Sequence, residues 1–197
     1  MRSIRMLSAV LCCVGLMVCP ALAKEKKQAL ERYEANAMSL EAGRASIMEI
    51  TIFAWSSDAD RQAMIDAFDQ GGDKALYKHL SKQDELGFVS LPRTMGYQMR
   101  YAYQSESDGK RLITMATDRP IGMAEVMRGS MSQEDNISLV FLELDPATGE
   151  GTGEMIVGAG FRVDKKTGKF EIETLGQEPI KFTKVKPMKV KHKHQDK

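Results

Sequence analysis

The chain has 197 residues, 28 of them basic and 27 acidic, for a net charge of +1. That balance excludes the broad basic footprint of a nucleic-acid-binding domain. The three cysteines all fall within the first 19 positions. A chain that has lost that stretch has no thiol catalysis, no Cys-ligated zinc and no iron–sulfur cluster.

Residues 1–23 open on Arg2 and Arg5, run through the apolar block Leu7–Val18 and end on Ala21-Leu22-Ala23. This order predicts an export signal cleaved after Ala23, and a periplasmic or secreted product. The block is about a dozen residues, against ~20 for a membrane span, and no later segment is long enough to cross. Met17, Val18 and Pro20 around Cys19 argue against its lipidation. The remainder suits one domain held by apolar packing without disulfides. Charge is uneven along it: from Lys181 onward seven lysines face one acid, Asp196, and the body before them is acidic.

Residues 24–44, rich in Lys, Glu and Ala, show Leu30, Tyr33, Ala37 and Leu40 at three- and four-residue steps and predict a charged helical spacer. Residues 46–55 alternate as a strand, with Met48, Ile50 and Ile52 on one face. Ser57 is a natural N-cap, followed by Asp58 and Asp60 in a first turn. Gly71-Gly72 stops that helix, and Asp73 caps a second, giving a helical hairpin. After Gly87 the pattern is β: Phe88–Leu91, then 95–103 with Met95, Tyr97, Met99, Tyr101 and Tyr103 on one face. Ser107-Asp108-Gly109 turns the chain into Arg111–Thr117. Residues 118–136 are irregular. Ile137–Leu144 is apolar on both faces and predicts a central strand. Asp145–Gly149 is a turn, followed by strands at Glu154–Val163, Phe170–Thr174 and Ile180–Val185. Gly158 and Gly160 inside a strand predict a bulge or bend. The fold class is therefore α+β: a mostly antiparallel, strongly curved sheet or partly open barrel of about eight strands, with a helical hairpin inserted after the first. The domain would span 45–186, leaving a basic tail at 187–197.

The chemistry is constrained mainly by elimination. Of three histidines, His192 and His194 lie in the tail, and His79 reads as a surface residue; no G-x-S-x-G elbow is present. The spacing of Asp66, Asp69 and Asp73 does not fit an EF-hand. Met123, Met127 and Met131 read as core filler rather than a copper site. No metal or cofactor is expected. The candidate ligand-binding residues are Trp55, Arg93, Tyr97, Arg100, Tyr101, Asp118, Arg119 and Glu125. They combine aromatic sheet faces with a polar cluster at a strand end, Asp118–Glu125.

The run Asp58–Gly72, the segment Leu91–Tyr97 (LPRTMGY), Thr117–Glu125 (TDRPIGMAE) and the strand-turn Leu142–Asp145 (LELD) carry a resemblance to a group of uncharacterised exported bacterial proteins. The resemblance implies that 45–185 is one unit. That group has no established activity, so it implies no site residues. The residues favour a non-catalytic exported module that binds a small or extended ligand in a sheet concavity. The alternatives are an envelope interaction or structural protein, and a hydrolase using carboxylates such as Asp118 and Glu125. No nucleic-acid partner is expected, and the basic tail suits an anionic surface.

Overall fold

A computed structural model describes residues 27–39, 43–90, 96–119, 137–163, 170–174 and 178–190. Its elements are β1 (Glu31–Ser39), β2 (Arg44–Ile52), α1 (Asp58–Leu80), β3 (Gly87–Ser90), β4 (Tyr97–Met99), β5 (Tyr101–Ser107), β6 (Lys110–Thr117), β7 (Ile137–Leu144), β8 (Gly151–Val163), β9 (Phe170–Thr174) and β10 (Ile180–Pro187). All strand pairings are antiparallel. The sheet runs β4-β3-β2-β1-β10-β8-β7-β6-β5, with β9 outside this path as a partner of β8.

The two ends of that path meet at one residue. Leu86 N donates to the Met99 carbonyl, whereas Arg100 N donates to the Ala116 carbonyl, each at 2.8 Å. At Arg100 the chain passes from β3 as its neighbour to β6. The nine strands thus form a nearly closed barrel, which leaves less unpaired edge than an open sheet would.

Side chains fill the inside of the barrel. Ile50, Met99, Met115, Leu142, Met155 and Phe182 are each almost fully buried in one cluster. Small residues make room for large ones. A Cβ on Gly153 would come within 3.0 Å of Phe182 Cδ2, and one on Gly87 within 2.5 Å of Met115 Cε. A second cluster lies outside the barrel. There Leu76 and Leu80 of α1 are buried with Ala116, Leu139 and Ile156, and Phe68 meets Phe161 edge-on with ring centroids 6.2 Å apart. Residues 137–144 are apolar on both faces because β7 serves both clusters.

Several expectations are corrected. Residues 31–39 form β1 rather than a helical spacer, so the sheet begins well before residue 45. Tyr33, Ala35 and Ala37 alternate into the barrel, and pairing with both β2 and β10 overrides the helix propensity of Glu and Ala. Among the described residues ten strands form instead of about eight. The helical insertion follows the second strand, and it is one kinked helix rather than a hairpin. Gly71 and Gly72 leave helical geometry (Gly72 φ 64°, ψ −153°), but helix resumes at once. Asp73 Oδ1 accepts from Phe161 N at 3.2 Å, tying the resumed helix to β8.

Candidate functional site

The candidate residues divide among three places. Trp55 lies at one barrel end, where its ring sits 5.4 Å from the Arg111 guanidinium. Arg111 is the second residue of β6, so its side chain reaches across that end. Its Nη2 donates to Glu31 Oε1 at 2.8 Å, its Nη1 to Tyr33 Oη at 3.2 Å, and Nε and Nη2 both to Gln104 Oε1. Tyr33 Oη in turn donates to Glu31 Oε2 at 2.5 Å. Burial pushes the Tyr33 hydroxyl pKa well up, and its bond to Glu31 adds to the shift. Burial opposes the charge on Arg111, but the Glu31 bond and Tyr33 outweigh it and raise its pKa. The cluster is a self-satisfied polar plug in which every strong donor already has an acceptor. Of its members, sequence reasoning singled out only Trp55. The available signal was an Arg placed directly after a tight hairpin, where strand register carries it to the rim.

Arg100, Asp118 and Tyr97 lie toward the other end of β6. Tyr97 packs on the interior cluster. Arg100 Nη1 donates to the Gln83 carbonyl at 3.0 Å, and its Nε stands 3.8 Å from Asp118 Oδ1. Arg100 Nε and Thr117 Oγ1 are buried without a hydrogen bond among the described residues. Arg119 is exposed beside this corner. Tyr101 is elsewhere. The handover at Arg100 breaks the alternation expected for 95–103, so Met99 and Ala102 point inward while Tyr101 joins the outer cluster under α1. There it stacks on Tyr103 at 6.2 Å. Trp55 and Tyr101 therefore belong to different layers and do not share a pocket lining. Arg93 and Glu125 lie outside the described residues.

A third feature was not read from the sequence. Asn36, Ala37, Met38, Ala45, Ser46, Ile47 and Thr183 line an open groove of about 430 Å³ on the outer face of β1, β2 and β10. Met38 and Ile47 are 40% and 49% exposed there. Their outward positions follow from the alternation that turns Ala37 and Met48 inward. None of the lining residues is titratable, so the groove offers contact rather than acid–base chemistry.

Among the described residues, no three His, Asp or Glu side chains gather as a metal set, and no helix is long and apolar enough to cross a membrane. Compared with known proteins, the chain matches no family model, no curated sequence and no solved structure.

Proposed function

We propose that the protein is an exported, non-catalytic binding protein that works through its outer surface, with the groove over β1, β2 and β10 as its contact face. One observation carries this reading: the barrel interior, where a barrel of this size would hold a small ligand, is occupied by its own buried side chains. Binding is thereby moved to the outside. The groove is where two large apolar residues, Met38 and Ile47, stand exposed at diagonal positions of the β1–β2 ladder.

The leader and the absence of later cysteines make the test direct. Single-cysteine variants Ile47→Cys and Gln70→Cys are labelled with a membrane-impermeant thiol reagent, once in intact cell envelopes and once as purified protein. Position 47 should be protected in the envelope and position 70, on α1, should not. Equal rates at both positions in both preparations would remove the groove as a contact face. Recovery of the protein from the cytosol with its leader intact would remove the export half of the proposal.

The Arg100–Thr117 corner supports a second reading, a small polar ligand bound at that barrel end. A ligand acceptor oxygen there would supply a hydrogen bond that Arg100 Nε and Thr117 Oγ1 lack among the described residues. A thermal-shift screen of polar metabolites against the native chain and Arg100→Gln separates the two readings. A shift lost in Arg100→Gln supports the corner.

A further inference from the structure

We infer that the occupant of the groove face is an anionic phospholipid surface, on which the barrel lies with the outer face of β1, β2 and β10 downward. This inference rests on the surface-binding reading above and names its partner. Met38 faces Lys181 across the β1–β10 ladder, and Thr183, which lines the groove, is followed by Lys184. Two acids at this face, Glu49 and Glu154, are ion-paired, and a third, Glu34, has a lysine opposite it in register. Arg32 holds Glu49 at 2.9 Å, Lys181 holds Glu154, and Glu34 lies opposite Lys186. Lys184 and Lys189 are exposed and have no ion pair among the described residues. The sequence then adds Lys191, Lys193 and Lys197 against Asp196 alone.

The opposite side of the molecule has the reverse charge. In ring order β1 stands across from β6 and β2 across from β7, and α1 packs on β6, β7 and β8. The helix carries five Asp against Arg61, Lys74 and Lys78. Exposed Lys184 and Lys189 therefore share the face of β1, β2 and β10 with Met38 and Ile47, while the acidic helix lies over β6, β7 and β8. Apolar prongs entering the headgroup layer, flanked by lysines on the phosphates, form a two-part anchor for an anionic bilayer. A strand-adding peptide fits less well, because β1 is paired on both sides and offers no free backbone edge.

The test uses the exported protein, its leader removed by the cell. Binding is measured by sedimentation with vesicles of phosphatidylcholine alone and of phosphatidylcholine and phosphatidylglycerol mixed about 2:1. The anionic vesicles should bind at least ~10-fold more tightly, and the difference should shrink as salt rises. Met38→Ser with Ile47→Ser should weaken binding to anionic vesicles by ~10-fold or more. Lys184→Glu with Lys189→Glu should do the same. All four positions are exposed or half-exposed, so unfolding midpoints should hardly move. A polarity-sensitive dye on Ile47→Cys should shift its emission on vesicle addition, and one on Gln70→Cys should not. Equal binding to both vesicle types, no binding, or a shift at position 70 alone would overturn the lipid partner. If position 47 is still protected in cell envelopes, the surface-binding reading survives with a different partner. If protection fails too, both readings fall.

Discussion

Arg111 meets Glu31, Tyr33, Gln104 and Trp55 at once, joining the first strand, the loop after the second, and the β5–β6 hairpin. Removing it leaves a half-buried carboxylate and a buried phenol short of their charged donor. Arg111→Ala should therefore cost about 1.5–3 kcal/mol. Tyr33→Phe leaves the Arg111–Glu31 pair in place and should cost about 1 kcal/mol. Thermal unfolding measures both, at roughly 2–4 °C per kcal/mol for a domain of this size. The emission of the chain's one tryptophan should move only in Arg111→Ala; no movement there would show that Trp55 is not packed under the guanidinium. The tyrosines give a pH prediction. Burial pushes Tyr101 up to about 12, from an ordinary value of 10.0. Burial also raises Tyr33, and a hydrogen bond to Asp58 raises Tyr103. Because the folded state favours the protonated phenol, this stabilisation is complete below pH 10 and is lost as pH rises toward 12. A spectrophotometric tyrosinate titration run beside circular dichroism should show these groups ionising late and together with alkaline unfolding. Ionisation of every tyrosine near its ordinary pKa in an intact fold would contradict the assigned burial.

Helix α1 is the element whose beginning is most plainly written in the chain. Ser57 Oγ accepts from Asp60 N at 3.2 Å, and Asp60 Oδ2 accepts from Ser57 N at 2.7 Å, a complete capping box. Ser57→Ala should cost about 1 kcal/mol in denaturant unfolding. The backbone bond from Ser57 holds the Asp60 carboxyl below its ordinary 3.8. Its contribution is therefore present above that pH and is lost as the medium is acidified below it. Gly72 makes the opposite kind of contribution, since its backbone sits where other residues are strained and no atom stands within 4 Å of an added Cβ. Gly72→Ala should cost about 1–3 kcal/mol through backbone strain alone, and helical circular dichroism should follow it. These local devices were legible because they are set by neighbours in sequence. So were the Asp108-Gly109 hairpin, with φ of 52° and 72° at its two turn residues, and the bend at Gly158. What escaped is set by distant partners. Residues 31–39 carry both a helical and an alternating apolar pattern, and only β2 and β10 choose between them. The break at Arg100 has no turn residue to announce it, because it comes from a change of neighbouring strand. For the same reason Trp55 and Tyr101 pack against different clusters.

At the scale of the whole molecule, strands β1, β2 and β10 divide apolar from polar side chains by direction. The inward rows are apolar and the outward rows of β1, β2 and β10 carry Arg32, Glu34, Glu49, Lys181 and Lys186, the reverse of a barrel built to face lipid tails. Strand β2 holds the sharpest contrast. Ile50 is fully buried in the interior cluster, while Ile47, three residues earlier, stands half-exposed in the groove. Ile50→Ala would open a cavity among well-packed neighbours that cannot collapse inside a ring of hydrogen-bonded strands, and should cost about 2–5 kcal/mol. Ile47→Ala removes a side chain the fold hardly uses, and should change stability by no more than about 0.5 kcal/mol while weakening contact at the groove. Equilibrium urea unfolding of the two variants, read at constant slope, measures the contrast. If Ile47→Ala costs as much as Ile50→Ala, the outer apolar pair is structural, and the groove loses its claim to be the proposed contact face.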